Sequence, residues 1–107
     1  TLLEAARRET FEETGIRIES SLTQLDTVAP VPVTRFRDSY LWGDAVYVIP
    51  IHYFGILADT RQILLSHEHA EYRWLKYRDA YNLLKFDDDK IALWELDRRV
   101  RGLGPRD

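Results

Sequence analysis

Leu2, Leu3 and Ala6 recur at helical spacing along a segment that also carries carboxylates at positions 9, 12 and 13. That pattern predicts an amphipathic helix. Thr1-Leu2-Leu3-Glu4 has the form of a capping box, in which the threonine hydroxyl and the glutamate each reach a free backbone N–H. Gly15 stands one residue after the charged run, where a left-handed residue ends a helix. Ile16-Arg17-Ile18 then alternates like the start of a strand. The apolar strip lies beside the acidic arc. One side of the helix is therefore expected to pack on a sheet and the opposite side to face a site.

Further along, Leu22 to Val28 reads as a strand, and Pro30, Pro32 and the polar stretch from Thr34 to Ser39 mark a loop or an edge. Trp42-Gly43-Asp44 reads as a turn into a long aromatic-rich strand region, Ala45 to Ile49 and Ile51 to Ile56, with Pro50 implying a bulge or an edge. Asp59 to Arg61 is a predicted turn into a short strand at Ile63 to Leu65, and Glu71 to Leu75 is another short strand. A short helix is expected over Arg78 to Leu84. A final one runs from about Lys90 to Arg101, capped by Asp87-Asp88-Asp89 and ended by Gly102. This is an α+β domain, with helices flanking a mixed sheet.

Glu9, Glu12 and Glu13 must share one side of their helix, because a helix advances about 100° per residue. Like charges so placed repel, at a cost of a few tenths of a kcal/mol per pair. Two arrangements offset that cost: a solvated face neutralised by neighbouring arginines, which is common for short charge motifs, or a bound divalent cation. An oxygen-rich, sulfur-free cluster suits Mg²⁺ or Mn²⁺ better than zinc. The placement on the last turns of a helix that feeds directly into a strand favours the cation.

Arg8-Glu9-Thr10-Phe11-Glu12-Glu13-Thr14-Gly15-Ile16 resembles the second half of the Nudix box, Gly-x5-Glu-x7-Arg-Glu-U-x-Glu-Glu-x-Gly-U, where U is a bulky aliphatic. Arg8, Glu9, Glu12, Glu13, Gly15 and Ile16 match in register, whereas Thr10 stands where the family prefers Leu, Ile or Val. The glycine and first glutamate of the box would precede Thr1, as would the opening strands of the family's fold. The chain is therefore expected to lack its natural N-terminus. Leu65-Ser66-His67-Glu68-His69-Ala70-Glu71-Tyr72-Arg73-Trp74-Leu75 is similar to a segment of two Nudix subfamilies. One hydrolyses small nucleoside or pterin triphosphates such as dATP and dihydroneopterin triphosphate; the other cleaves diadenosine tetraphosphate. Asp89 to Leu96 resembles the last helix of the first group.

The resemblance implies a single Nudix-like domain over residues 1–107, an α/β/α sandwich. It also implies Mg²⁺- or Mn²⁺-assisted hydrolysis of a nucleoside polyphosphate at a phosphorus–oxygen–phosphorus linkage. Glu9, Glu12 and Glu13 are the implied metal ligands, with Glu12 central to catalysis. Arg8 is the implied support that orients a glutamate through a charge-assisted bond. Glu68 is the implied extra ligand or general base, with Glu71 as the fallback. Diadenosine tetraphosphate hydrolysis and a binding module without turnover are the alternatives, and the complete acidic triplet favours an enzyme.

Other residues carry weaker signals. His67-Glu68-His69 lacks the spacing of a His-Glu-x-x-His zinc helix, because Glu71 occupies the second histidine's position. Arg35 and Arg37 are candidate phosphate contacts, with a solvated loop as the plainer reading. Tyr40 and Trp42, beside a turn, are candidate base-stacking residues, while strand aromatics are more often core. Trp74 and Trp94 are assigned to the core.

Composition narrows the field. The 107 residues are 45% hydrophobic and 31% charged, ordinary values for a globular domain. A net charge of −3 gives no basic footprint for nonspecific nucleic-acid binding, so polyphosphate would need metal ions and local arginines. No cysteine is present, which removes disulfides and thiolate chemistry. No apolar run is long enough to span a membrane, and no signal peptide is visible, so the cytoplasm is the expected setting. The expected partner is the small-molecule substrate, with a homodimer left open.

Overall fold

The computed structural model describes residues 1–16, 22–58, 63–65 and 71–106. The first helix, α1, runs Leu2–Thr14. Its capping box is complete: the Glu4 amide donates to the Thr1 hydroxyl at 3.1 Å, and the Thr1 amine donates to the Glu4 carboxylate at 3.1 Å. At the other end Gly15 adopts φ 76°, and its amide closes on the Phe11 carbonyl at 2.8 Å. Thr10, the residue that departs from the family pattern, satisfies its hydroxyl inside the helix by donating to the Ala6 carbonyl at 2.6 Å.

Two strands follow, β1 (Leu22–Pro32) and β2 (Val48–Ile56), paired antiparallel. β1 extends four residues beyond its expected end at Val28, through both prolines. Pro30 faces Pro50 across the ladder and Pro32 faces Val48. The Val33 amide donates to the Tyr47 carbonyl at 3.0 Å, so positions 30, 32 and 50, an odd number of steps from that pair, turn their nitrogens away from the partner strand, and the prolines cost the ladder no bond. Of the bulge or edge expected at Pro50, the edge holds among the described residues: β2 runs through the proline in a two-stranded sheet. The irregularity lies in β1, where the four-residue step from Gln24 to Val28 faces the two-residue step from Phe54 to His52. Ala45 to Tyr47 precede β2 instead of joining it. Ile63–Leu65 and Glu71–Leu75 form no strand either. Between β1 and β2 the chain makes two 3₁₀ turns, Val33–Arg35 and Ser39–Trp42, the second ending at Gly43 with φ 79°.

α2 (Tyr77–Leu83) and α3 (Asp87–Val100) complete the described elements. The three aspartates do not cap α3 from outside. Phe86 is the N-cap, and Asp87, Asp88 and Asp89 form the first turn, where their charge still suits the helix dipole. Two of them serve the sheet: the Tyr53 hydroxyl donates to Asp89 at 2.7 Å and to Asp88 at 3.3 Å. Burial, then these carboxylates, raises the Tyr53 pKa above its ordinary value.

Helices lie on both sides of the sheet. The Pro50, His52, Phe54 and Ile56 face of β2 turns toward α1. Gly55 is buried on the other face beneath Leu96, where a β-carbon would collide with the leucine. Leu25, Ala29 and Val31 of β1 are buried, with Ala92 of α3 and Ile16 after α1. Trp74 and Trp94 are not core residues: they are 49% and 42% exposed. Ala92, Glu95 and Leu96 take the contacts of α3 with the sheet, which leaves Trp94 on the flank beside Arg98, 5.6 Å from its ring.

Glu95 joins α3 to the irregular part of β1. Its carboxylate accepts from the backbone amides of Asp26 and Thr27 at 2.6 and 2.8 Å, from the Thr27 hydroxyl at 2.6 Å, and from Arg99 at 2.8 Å. Burial works against its charge, but the bonds from Thr27, Asp26 and Arg99 outweigh it and hold the pKa at about 2, against an ordinary 4.5. The unfolded chain takes up this proton first as pH falls, so the stabilisation is complete above about 4.5 and is lost as pH drops toward 2. Glu95→Gln is expected to lower the melting temperature at pH 7 and to weaken its fall between pH 4.5 and 2. Melts followed by circular dichroism across that range check it; parallel curves for the two proteins would contradict it.

Candidate active site

α1 and β2 enclose a cleft of about 470 Å³. Leu2, Ala5, Ala6, Glu9, Thr10 and Glu13 line it from the helix, and residues 50–54 with Ile56 from the strand. Glu9 and Glu13 therefore share the face of Leu2 and Ala6. The expectation that the acidic side would turn away from the packing side is corrected by helix geometry: eleven residues make three turns, so Leu2 and Glu13 fall on one line. Glu12 lies off that line, beside Arg8.

Arg8 stands between two of the carboxylates, 3.8 Å from Glu9 and 3.8 Å from Glu12. These are ion pairs longer than hydrogen bonds, with all three side chains more than 60% exposed. Arg8 thus lowers the repulsion within the run without consuming the carboxylate oxygens. Among the described residues no three His, Cys, Asp or Glu side chains converge tightly enough to hold one ion between them. The donor chemistry nonetheless fits Mg²⁺. That ion keeps several waters and is held through one or two carboxylates together with substrate phosphates, so the pair in the cleft meets its requirement.

The end of α1 is tied to a later segment. The Leu64 amide donates to the Thr14 carbonyl at 2.8 Å, which brings residues 63–65 against the end of α1. The backbone conformation requires glycine at position 15, and a β-carbon on Gly15 would stand 3.0 Å from the Leu64 β-carbon, a tight contact. Glu68, two residues beyond Ser66, lies outside the described residues, as do His67, His69, Arg17 and Ile18. Glu71 pairs with Arg73 at 3.7 Å and borders a different cavity, with Leu83 and Leu84.

The other predicted contacts gather away from the carboxylates. Arg35 donates to Asp88 at 3.3 Å and stacks over Phe86 at 4.1 Å, lining a cavity of about 400 Å³ on the α3 side. Trp42 meets the Phe36 ring edge-on at 5.6 Å and is 42% exposed, and Tyr40 is 74% exposed, both outside the core as expected. Arg37 is exposed in the same loop. His52, which the sequence did not single out, lines the cleft opposite Glu9 and Glu13. Its signal was the alternation of β2: residues 50, 52, 54 and 56 share a face, and one of them is not apolar.

Comparison with known proteins bears on the family and the fold. The family model for the NUDIX domain matches residues 1–95. A crystal structure from Listeria monocytogenes, described as that of a NUDIX hydrolase, superposes with a TM-score of 0.78 at 35% sequence identity. The match covers 95% of this chain and 68% of that one.

Gly15→Ala is expected to destabilise the protein by about 1–2 kcal/mol, the cost of a left-handed conformation for a residue with a β-carbon. Denaturant unfolding at neutral pH measures it; an unchanged midpoint would contradict the geometry described for the end of α1.

Proposed function

The chain belongs to the Nudix family and is a Nudix-type hydrolase, and from that premise we propose that its reaction is Mg²⁺- or Mn²⁺-dependent cleavage of a nucleoside polyphosphate. A nucleoside or pterin triphosphate is the preferred substrate class, ahead of diadenosine tetraphosphate. The observation that carries the reading is the pairing of Glu9 and Glu13 on the wall of one cleft, with Glu12 and Arg8 on the adjoining arc.

In this reading Glu9, Glu12 and Glu13 supply the oxygen ligands. The cation, when bound, neutralises phosphate charge and makes the attacking water more acidic. Arg8 holds Glu9 and Glu12 apart in charge and in orientation. Glu68 accepts the proton of the water as it attacks phosphorus in line with the departing phosphate oxygen. The tether from Leu64 to Thr14 supports that role, because it fixes the segment leading toward Glu68 at the carboxylate end of α1. Arg35, Arg37, Tyr40 and Trp42 belong to substrate binding in this proposal, the arginines as phosphate contacts and the two aromatics as base-stacking residues. Phosphate contact by Arg35 requires release from Asp88.

Glu12→Gln changes charge and little else. It is expected to lower turnover by at least about a hundredfold, the upper end of what even outer-shell changes cost at metal sites. Pyrophosphate or phosphate release from a panel of nucleotides with Mg²⁺, using the complete protein, is the assay. Near-wild-type turnover would refute the site. A wild-type protein that binds nucleotides without releasing product would favour a binding module.

A further inference from the structure

Pro50, Ile51, Phe54 and Ile56 are apolar and the Tyr53 hydroxyl is taken by Asp88 and Asp89, so among the described residues the imidazole is the polar side chain that β2 leaves free for the cleft. The side chain is half-buried. Its Nδ1 is shut off from solvent and has no hydrogen-bond partner among the described residues. Buried polar atoms without partners are few, and each calls for an explanation.

A neutral imidazole carries one N–H, and the bond made at one nitrogen decides which of the two holds it. In a neutral ring a proton on Nδ1 would be a buried donor with no acceptor, which assigns the N–H to Nε2, at the far edge of the ring. The facing wall carries Glu9 and Glu13. A polyphosphate between the walls meets cations on the α1 side and needs a donor on the β2 side.

We propose that His52 is a substrate-binding residue whose Nε2–H donates to a phosphate oxygen of the polyphosphate held between α1 and β2. This rests on the hydrolase reading above and adds to it a contact from the strand.

The test uses the complete protein with Mg²⁺, inorganic pyrophosphate as a calorimetric probe, and steady-state kinetics on the nucleoside triphosphate that the wild type cleaves best. His52→Leu is expected to weaken pyrophosphate binding and raise KM by about tenfold or more, the lower end for a hydrogen bond to a charged group. Mg²⁺ affinity measured without phosphate stays as in the wild type. His52→Gln, whose amide reaches about as far as Nε2, restores most of the loss, whereas His52→Asn, reaching only as far as Nδ1, does not.

Unchanged pyrophosphate affinity and KM in His52→Leu would overturn the proposal, and equal restoration by glutamine and asparagine would overturn the assignment to Nε2. If the leucine variant does not fold, the glutamine–asparagine comparison decides alone. A wild-type protein that takes up Mg²⁺ without binding pyrophosphate overturns this proposal and leaves the cation site standing. One that takes up no Mg²⁺ overturns the cation site, and this inference falls with it.

Discussion

The carboxylate of Glu95 is the interaction on which the described architecture depends. Where β1 carries more residues than β2 can pair, the amides of Asp26 and Thr27 are satisfied by this side chain of α3. The same carboxylate bonds Arg99, and Arg99 returns to Asp26 at 2.9 Å. An irregularity that would otherwise expose backbone donors thereby becomes the seam that holds α3 to one face of the sheet. Tyr53 adds a second fastening at the start of α3, through Asp88 and Asp89. With α3 fixed there, the opposite face of β2 is left for α1 and the cleft.

The cleft combines two demands that compete. α1 turns Leu2 and Ala6 toward the sheet, and the same face carries Glu9 and Glu13. Two carboxylates one turn apart on a packing face are unfavourable without positive charge close by. Arg8 supplies part of it from the side, at distances too long for strong bonds. In the proposed reading a divalent cation would supply the rest, and the family to which the chain belongs is one of hydrolases that generally use such ions. The constraint that makes α1 a poor packing helix would then suit it to holding a cation.

Local signals in the sequence are direct where one residue type has one physical job. Thr1 with Glu4, and Gly15 with its left-handed backbone, mark both ends of α1 by residue type alone. The two later helices are legible to within a few residues for the same reason. The strands are less so, because the effect of Pro30, Pro32 and Pro50 depends on which way their nitrogens turn in the ladder, a register that no local pattern encodes. Trp74 and Trp94 mislead because size and hydrophobicity say what is worth burying and not which side of a helix meets the sheet. In the site, the shared arc of Glu9, Glu12 and Glu13 follows from spacing, whereas the role expected of Arg8 comes from the resemblance to the family. The division of the carboxylates into a cleft-facing pair and a flanking Glu12 needs the partner strand. His52 is hidden for the same reason, since a lone histidine gains meaning from what stands opposite it.

Cation binding in the cleft is tested most directly by titrating the complete protein with Mg²⁺ and Mn²⁺ in a calorimeter, beside variants Glu9→Gln and Glu13→Gln. Saturable uptake by the wild type, lost or strongly weakened in both variants while their melting behaviour is kept, is the predicted result. Uptake that is absent in the wild type, or the same in all three proteins, would contradict it.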